Sequence, residues 1–408
     1  MLMFALGLQL QAAQPASRFV DSIGINTHLS YWDTPYGKRF PEVAELLERS
    51  GIRHVRDGVV LGQTRVCDEE RELASHGIRF DYVTQANPSA ADLLEWARCT
   101  GPAIESFEGL NEYDISHPRN DTDWAATVRR SQQALYREVK SSPHLRSLSV
   151  VGPSLTSAGA ARRVGDLSDA MDYGNIHNYF GGHEPGTPGW GLGGYGSIAF
   201  NVAVGRTVAG GKPILATETG YGTSPSSGDV PENIQLAYVP RLFLDQFAAG
   251  IVRTDLYELV DEGGPPYANF GLLTSDLRPK PAFTALSDTI ALLADDREPR
   301  TLARIPLSLA GDLAGVRDLI LEKHDGRTYV AVWQVAAGIE PKTRLPLPIA
   351  TRDVTLSVGD GRRIEHVYAY GDNGHLTAMP QSGPATSVSL AVRDRAEFVE
   401  LDDSGSER

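Results

Sequence analysis

The stretch Ala103-Ile-Glu-Ser-Phe-Glu-Gly-Leu-Asn-Glu112 begins as a short apolar run and ends abruptly in an Asn-Glu pair. A second run, Pro213-Ile-Leu-Ala-Thr-Glu218, also ends in a glutamate, and the loop Thr219-Gly-Tyr-Gly-Thr223 follows it. Short apolar runs that stop at glycine-containing loops are typical of buried strands. The two stretches therefore predict two buried strands, each with a glutamate at its carboxyl end.

Similar apolar runs alternate with amphipathic helical patterns from residue 19 to residue 293. This alternation is typical of a parallel sheet with helical crossovers, and eight repeats of it predict a TIM-type (β/α)8 barrel. The predicted strands are Ser22–His28, Ile52–Asp57, Ile78–Val83, Ala103–Glu112, Leu148–Val151, Met171–His177, Pro213–Glu218 and Arg253–Asp261. The predicted helices are Pro41–Ser50, Val66–Ser75, Ala90–Ala97, Asp123–Lys140, Ala160–Asp169, Ser197–Val208, Pro231–Ala249 and Pro281–Leu293.

After Ala294 the pattern changes to short alternating segments separated by turns such as Asp325-Gly326 and Asp360-Gly361. This is the pattern of an antiparallel sandwich. We therefore predict a smaller β-sandwich domain over residues 294–402, followed by a frayed tail over residues 403–408. Its clearest predicted strands are Leu319–Glu322, Thr328–Val335, Arg352–Val358, Ile364–Tyr370 and Ser387–Val392.

Residues 1–18 allow two interpretations. The apolar run Met1–Leu8 and the small residues Ala12, Ala13 and Ala16 are typical of a secretion signal, although a basic segment in front of the run is missing. A signal would make the protein secreted or periplasmic, and otherwise a cytoplasmic location is expected. The alternative is an N-terminal strand that packs on the second domain. Elsewhere no run reaches the ~18 apolar residues that a membrane span requires.

The formal net charge is −14 and the isoelectric point is near 5.2. This balance argues against nucleic acid as a partner, because binding a phosphate backbone calls for clustered Lys and Arg.

The two cysteines, Cys67 and Cys99, are too few for a disulfide scaffold or a four-cysteine zinc site. They fall at the start of one predicted helix and at the end of the next parallel one. We therefore predict two free thiols at opposite ends of the barrel wall.

The active site of a (β/α)8 barrel lies at the carboxyl ends of its strands, so Glu112 and Glu218 are expected to face each other across the barrel mouth. Double-displacement glycoside hydrolysis needs such a pair, one as a protonated acid at the leaving oxygen and one as an ionised nucleophile at the anomeric carbon. The alternative is two solvated loop glutamates. Glu108 has the strand parity of Glu112 and is predicted to be a buried carboxylate paired with Arg56, whereas Glu105 faces the helices.

A resemblance to the clan A glycoside hydrolases, for example families 39, 5, 30 and 79, is carried by four features. These are the Asn111-Glu112 pair, Glu218, Asn269-Phe-Gly-Leu-Leu273 and Pro279-Lys-Pro-Ala282. The resemblance covers residues 20–293 and implies a retaining glycosidase. It implies that Glu112 is the acid/base, that Glu218 is the nucleophile and that Asn111 donates to the substrate 2-hydroxyl.

The same resemblance assigns supporting roles around the nucleophile. Tyr179 or His177 would orient Glu218, and Arg56 would lie close to it. One departure concerns the sugar platform, because such enzymes commonly present a tryptophan at the end of strand eight. At that position this chain offers Tyr257, Glu258 and Asp261.

Sugar rings bind by stacking on aromatic faces as well as by hydrogen bonds. Aromatic side chains on loops at the strand-end face are therefore candidate contacts, although part of them are expected to serve ordinary loop packing. These aromatic residues are Trp32, Tyr36, Trp190, Tyr195, Tyr221 and Tyr267. The predicted substrate-binding set is Asn111, His177, Asn178, Tyr179, Arg56, His28, Trp32, Trp190, Tyr257 and Glu258.

No cofactor and no metal are predicted, because the sequence has no His-x-His or His-Glu-x-x-His pattern. A Gly-x-Ser-x-Gly elbow and a phosphate-binding glycine loop are also missing. The sequence thus predicts a retaining glycosidase that acts on a poly- or oligosaccharide. Two alternatives stay open: a non-catalytic carbohydrate-binding barrel, and a transglycosylase that uses the same carboxylates. The sequence predicts no oligomeric state.

Overall fold

The computed structural model describes residues 8–58, 61–226, 228–263, 269–299, 301–380 and 383–402. Two short strands, β1 (Gln9–Ala12) and β2 (Gln14–Pro15), precede helix α1 (Ala16–Asp21). An eight-stranded parallel sheet follows, as the sequence predicts. Its strands are β3 (Ile23–Asn26), β4 (His54–Gly58), β5 (Arg79–Val83), β6 (Ile104–Glu108), β7 (Ser149–Val151), β8 (Gly174–His177), β9 (Ile214–Thr219) and β10 (Thr254–Leu256).

Each of the eight predicted helical segments contains a helix, and two further short helices occur in loops. The helices are α2 (Pro35–Lys38), α3 (Phe40–Ser50), α4 (Thr64–Ser75), α5 (Ala90–Thr100), α6 (Tyr113–Ser116), α7 (Trp124–Ser141), α8 (Ala158–Val164), α9 (Ile198–Ala209), α10 (Glu232–Ala248) and α11 (Pro281–Leu293). Among the described residues, none of these helices has the length and apolar character that a membrane crossing would need.

The parallel strands follow one another in the order β7-β6-β5-β4-β3-β10-β9-β8. The two outer strands of this order, β7 and β8, meet through a single parallel bridge between Val151 and Tyr173. There the Gly152 N–H donates to the Tyr173 carbonyl at 2.8 Å. This bridge closes the sheet into a barrel, and it leaves the β7–β8 joint with fewer backbone hydrogen bonds than a full strand pair.

Local sequence sets the limits of the helices. Helix α3 has Pro41 in its first turn and ends at Gly51, whose φ of +79° suits a glycine. Helix α5 begins at Ser89, which forms a capping box with Asp92. Because such signals lie within a few residues of the helix ends, they can be recognised in the sequence alone.

The carboxy-terminal part of the chain forms an antiparallel sandwich, as predicted. Its strands are β11 (Arg304–Gly311), β12 (Val316–Glu322), β13 (Thr328–Gln334), β14 (Arg352–Val358), β15 (Arg363–Tyr370), β16 (Leu376–Ala378), β17 (Ser387–Val392) and β18 (Glu397–Asp402). They form two sheets, in the orders β1-β11-β14-β17 and β16-β15-β18-β13-β12-β2. Apolar side chains from both sheets, such as Leu307, Val332 and Leu356, make a core separate from that of the barrel.

Strands β1 and β2 belong to the sandwich. β1 pairs antiparallel with β11, where Gln9 lies opposite Leu307, and β2 pairs in parallel with β12, where Gln14 lies opposite Leu321. Residues 9–15 therefore agree with the second interpretation of residues 1–18, in which an N-terminal strand packs on the second domain. Residues 1–7 of the predicted signal and the predicted tail at 403–408 lie outside the described residues.

The last barrel strand is shorter than the predicted Arg253–Asp261, since β10 ends at Leu256. Beyond it the chain bonds to the end of β3 and to helix α2. The Leu259 N–H donates to the Asn26 carbonyl at 3.1 Å, and the Val260 N–H donates to the Tyr36 hydroxyl at 3.0 Å.

The sandwich packs on helix α10 of the barrel through buried polar contacts. Arg241 is fully buried and donates to the Gln334 carbonyl at 2.5 Å and to the Ala336 carbonyl at 3.1 Å. The Trp333 indole N–H donates to Asp245 Oδ1 at 3.0 Å. These bonds satisfy groups that would be costly to bury alone, so the two domains hold each other in place.

The prediction of two free thiols is wrong. Cys67 and Cys99 form a disulfide, and their Cα atoms are 4.9 Å apart. The prediction assumed that α4 and α5 run side by side in step. Instead, the Tyr82 hydroxyl on the strand between them donates to Glu70 at 3.1 Å and accepts from the Thr100 hydroxyl at 3.2 Å. The middle of α4 and the end of α5 thus lie over the same strand residue, which brings the two cysteines together.

Alkylation of the denatured protein without reductant is expected to leave its mass unchanged, and alkylation after reduction is expected to add two labels. Cross-linking across a separation of 32 residues should stabilise the fold by roughly 3 to 4 kcal/mol in the chain-entropy account. The Cys67→Ser variant should therefore unfold at lower urea and take one label without reductant. Two labels on the unreduced wild-type protein would contradict the disulfide.

Candidate active site

The two predicted catalytic glutamates lie together at the carboxyl end of the barrel. Glu218 is on β9 and is 9% exposed, whereas Glu112 follows β6 after a three-residue turn. A carboxylate oxygen of each and a ring nitrogen of His177 all lie within 4.8 Å of one another. The structure therefore brings together two acidic groups that are far apart in the sequence.

The turn after β6 sets the position of Glu112. Gly109 is needed there, because a Cβ atom on it would lie 2.1 Å from Gln132 Oε1 and 3.0 Å from the Pro153 nitrogen. Glu112 itself has the left-handed values φ 42° and ψ 41°, which are uncommon for a residue with a side chain. Its N–H donates to Ser154 Oγ at 2.9 Å. Packing and this bond hold the glutamate in its unusual conformation.

Arg56 on β4 is the buried cation of the site. It makes a two-pronged contact with Glu108, at 2.9 Å from Nε and 2.7 Å from Nη2, as predicted. Nη1 also donates to Glu218 Oε1 at 2.7 Å and to Asn26 Oδ1 at 2.8 Å, and Nη2 donates to Asn111 Oδ1 at 2.7 Å. One guanidinium therefore fixes two carboxylates and two amides at the barrel mouth.

Aromatic and imidazole groups hold the other oxygen of Glu218. The Tyr179 hydroxyl donates to Oε2 at 3.0 Å, and His177 Nδ1 lies 3.5 Å from the same atom. His177 Nδ1 also lies 2.8 Å from Glu112 Oε1, and its Nε2 lies 3.1 Å from Thr217 Oγ1. His177 thus stands between the two glutamates.

These neighbours determine the ionisation of Glu218. Burial by itself would raise the pKa of this carboxyl, but the electrostatic interactions with His177 and Arg56 and the hydrogen bonds from Tyr179 and Arg56 lower the pKa to about 2. The same burial and the charge of Glu218 raise the pKa of the Tyr179 hydroxyl well above its usual value. Glu218 is therefore an anion near neutral pH, and Tyr179 is a neutral hydrogen-bond donor.

A second titratable group lies on the adjacent wall, around His28. The imidazole bonds to Glu262 and lies 3.3 Å from Glu258 Oε2. Burial would lower the pKa of His28, but the hydrogen bonds to the two glutamates raise it well above its usual value. Burial raises the pKa of Glu258 to about 7, and its Oε1 has no hydrogen-bond partner among the described residues.

Aromatic rings join this wall to the catalytic pair. His28 stacks on Tyr31 at 4.5 Å and meets the edge of Tyr257 at 5.5 Å. Phe270 in turn contacts both Tyr257, at 5.7 Å, and Tyr179, at 5.8 Å. A continuous aromatic surface thus runs from His28 to the side of Glu218, where a sugar ring could stack.

The structure brings most of the predicted substrate-binding residues to the surface of one cleft, and two of them are buried. His177 lies against both glutamates, and Arg56 and Tyr179 bond to Glu218. Asn111 precedes Glu112 in the chain and accepts a hydrogen bond from Arg56. His28 and Tyr257 form the adjacent wall, Trp32 is a 72% exposed residue of a nearby loop, and Trp190 is 38% exposed and lines the Glu112 side. Tyr267, a further predicted aromatic contact, lies outside the described residues.

Asn178 and Glu258 are the two exceptions. Asn178 is 1% exposed, and its Oδ1 accepts a hydrogen bond from Gln246 on α10 at 3.3 Å, because strand alternation turns it away from the barrel interior. Glu258 is also buried, beneath His28 and the Tyr36 hydroxyl, which lies 3.3 Å away. Both side chains are buried, and their predicted contact with substrate stays a prediction.

Two further residues of the site, Asn26 and Ser154, are not among those predicted from the sequence. Asn26 ends β3 and accepts from Arg56, and Ser154 accepts from the Glu112 N–H and lies 3.4 Å from Asn111 Oδ1. Both follow the rule that polar residues at the carboxyl ends of barrel strands face the site. Applying that rule to the first and fifth strands as well would have found them.

Two groups of three side chains in the cleft have the donor types of a metal site. The first group is Glu112, His177 and Glu218. The second group is His28, Glu258 and Glu262. In both groups the imidazole Nδ1 is bonded to a carboxylate within the protein. A third group with suitable donors, Asp295 with Asp296 and His324, lies on the surface. No other feature of these groups points to an ion.

No family model matches the sequence, and no curated protein matches it. The structure is similar to that of a family 39 glycoside hydrolase from the gut symbiont Bacteroides cellulosilyticus WH2, with a TM-score of 0.62, 16% identity and coverage of 96% of this chain and 83% of that chain. It is also similar to an arabinofuranosidase (TM-score 0.59, 11% identity, coverage 97% and 98%). A third similar structure is the α-L-arabinofuranosidase from Thermotoga maritima (TM-score 0.56, 12% identity, coverage 97% and 98%).

These similarities extend over nearly the whole chain and therefore include both domains. At such low identity they establish the fold. The resemblance to clan A glycoside hydrolases that the sequence shows is thereby confirmed for the architecture of a (β/α)8 barrel followed by a sandwich.

The low pKa of Glu218 predicts a pH-dependent contribution to stability. A carboxyl whose pKa falls from 4.5 to about 2 on folding stabilises the native state above pH 4.5, and this contribution is lost as pH falls through about 2. The shift corresponds to about 3 kcal/mol. Between pH 5 and pH 2, the unfolding free energy of wild type should therefore fall about 3 kcal/mol more than that of Glu218→Gln in urea titrations. Parallel curves for the two proteins would show that Glu218 is not held in its charged form.

Proposed function

We propose that the protein is a retaining glycoside hydrolase that cleaves a poly- or oligosaccharide by double displacement. The observation that carries the proposal is that one carboxylate oxygen of Glu112 and one of Glu218 lie within 4.8 Å of each other at the barrel mouth. Retaining glycosidases have carboxyl groups about 5 to 5.5 Å apart, whereas inverting ones need about 6.5 Å or more to admit a water molecule. The short distance favours direct attack by one carboxylate.

The first step assigns opposite roles to the two glutamates. Glu218, kept ionised by Arg56 and Tyr179, attacks the anomeric carbon and forms a new C–O bond. The bond from that carbon to the leaving oxygen breaks, and Glu112 transfers its proton to the departing oxygen. Arg56 and Tyr179 each hold one oxygen of Glu218, so the attacking carboxylate does not have to rotate into position.

The second step reverses the proton transfer. Glu112, now a carboxylate, removes a proton from water, and the water oxygen attacks the anomeric carbon. The bond to Glu218 then breaks, which releases the sugar with its original configuration. Asn111 presents its oxygen to Arg56, which leaves its amide hydrogens for the substrate 2-hydroxyl, in agreement with the role that the resemblance implies.

A secreted or periplasmic location is part of the same proposal. The Cys67–Cys99 disulfide supports it, because disulfides persist mainly in oxidising compartments. An extracellular location would also suit an enzyme that acts on polymers.

Replacing each glutamate should produce a different kinetic defect. Once a panel of polysaccharides, assayed for new reducing ends, has identified a substrate, Glu218→Gln should lose turnover for every leaving group. Glu112→Gln should lose about 10²- to 10⁴-fold in kcat/KM for poor leaving groups and retain most of kcat/KM for aryl glycosides with acidic leaving groups, while kcat falls because the base of the second step is lost. Glu105→Gln is the matched control, because Glu105 bonds to His54 and Arg253 outside the cleft. Wild-type rates in both cleft variants would refute the assignment.

The stereochemical outcome tests the mechanism separately from the residues. Proton NMR of a reaction at early times should show the product anomer with the configuration of the substrate. A 2-fluoro glycoside with a good leaving group should label Glu218, which peptide mass spectrometry can locate. An inverted product would refute double displacement, and binding without labelling or turnover would favour the non-catalytic carbohydrate-binding barrel.

A further inference from the structure

A cavity of about 200 Å³ opens from the Glu112 side of the cleft and runs behind β8. It passes between the segment after β7 and the helices α8 and α9. Its upper end is formed by Glu112, His177 and Tyr179, and its inner end reaches Met171, Val208 and Ala209, which are all buried. Glu218 is not among the residues that line it.

Small side chains and an open joint of the barrel create this space. Helix α8 has only seven residues, and the side chains it buries are those of Ala160, Ala161 and Val164. The cavity lies next to the β7–β8 joint, where a single bridge connects the two strands. Protein interiors are otherwise close-packed, so the space reflects the local choice of small residues.

The inner wall offers apolar surface and little hydrogen bonding. Its polar side chains already have partners within the protein: Asn175 donates to the Gly152 carbonyl at 3.2 Å and accepts from Thr217 at 2.8 Å. Asn201 donates to the Ser197 carbonyl at 2.9 Å. A second sugar ring would have to bury its hydroxyls here without replacing their bonds to water, which is costly. An alkyl or aryl group has no such cost.

Aromatic rings continue this surface to the outside. Trp190 meets Tyr195 edge-on at 5.7 Å, and Tyr195 meets Phe200 edge-on at 5.4 Å. The Trp190 ring is held by two contacts. His183 stacks on it at 4.2 Å, and Gly196 lies so close that a Cβ atom there would be 2.3 Å from the ring. The entrance is therefore a preformed aromatic rim.

We propose that the leaving group of the natural substrate is an apolar alkyl or aryl alcohol, or carries such a group, and that it occupies this cavity. The inference rests on the proposed function, because the acid/base Glu112 protonates the leaving oxygen and the cavity begins at Glu112. The sugar portion then lies on the Glu218 side, along the aromatic surface that leads to His28. The inference narrows the substrate of the proposed function from any poly- or oligosaccharide to an amphiphilic glycoside, in which an oligosaccharide is joined to an apolar aglycone.

A binding experiment tests the cavity without turnover. Saturation-transfer NMR with benzyl alcohol should give a signal with wild type and with Glu218→Gln, and glycerol should give none. Val204→Phe, which fills the cavity from α9, should lose the signal. Val202→Phe is the matched control, since it places the same side chain on the other face of the same helix, beside a different groove. If Val204→Phe does not fold, Ala158→Leu on the opposite wall serves instead. No signal with wild type, or equal signals in the Val204 and Val202 variants, would overturn the proposal.

A kinetic experiment then links the cavity to the reaction. For the sugar found in the substrate screen, wild-type kcat/KM should be at least about tenfold higher for the hexyl than for the methyl glycoside, since each buried methylene can contribute about fourfold. Val204→Phe should remove this preference, and Val202→Phe should keep it. Equal rates for the two glycosides in an active enzyme would refute the proposal of an apolar aglycone and leave the proposed function standing. Benzyl alcohol binding without any glycoside cleavage would refute the proposed function instead.

Discussion

The barrel mouth depends on the buried guanidinium of Arg56. Glu108 is fully buried and Glu218 nearly so, and a carboxylate in such surroundings is stable only when it is paired. Arg56 pairs with both and also fixes Asn26 and Asn111. These partners come from β3, β6, the turn after β6, and β9. Loss of the cation would leave two buried anions unpaired, and removal of one partner from such a pair costs about 3 to 5 kcal/mol.

The same cation makes the two cleft glutamates unequal. Glu218 receives hydrogen bonds from Arg56 and Tyr179, whereas Glu112 bonds to His177 and its side chain is 23% exposed. Identical side chains thus have different surroundings less than 5 Å apart. Catalysis by two carboxyl groups requires this kind of asymmetry, because one must donate a proton while the other stays charged.

The sequence was most informative where structure depends on local pattern. Strand parity correctly placed Glu108, which bonds to Arg56, but it was wrong for Glu105, which bonds to His54 and Arg253 at the start of other strands instead of facing the helices, next to a register shift between β5 and β6. The errors arose where contacts join distant segments. The length of β10 depended on hydrogen bonds to Asn26 and Tyr36, and the pairing of Cys67 with Cys99 depended on how far α4 and α5 are shifted relative to each other. No pattern within a short window contains that information.

In the candidate site, too, features set by local sequence were predicted and features set by contacts between distant segments were not. The strand-end rule located the glutamates, but it could not show that Asn178 turns towards α10 or that Glu258 is covered by His28 and Tyr36. These outcomes depend on how the chain packs after it leaves the sheet. The cavity behind β8 also depends on packing, because it arises from what small residues on α8 fail to fill.

The pairing of β1 with β11 joins Gln9 to Leu307 across almost three hundred residues. The sandwich is thus assembled from two parts of the chain that the whole barrel separates in sequence. During synthesis its first strands must wait, unpaired, until the later strands have left the ribosome, whereas the barrel can form from neighbouring units in order. Completion of the sandwich should accordingly be the late event in folding, and it would fasten the two ends of the barrel segment to one another once the barrel is formed.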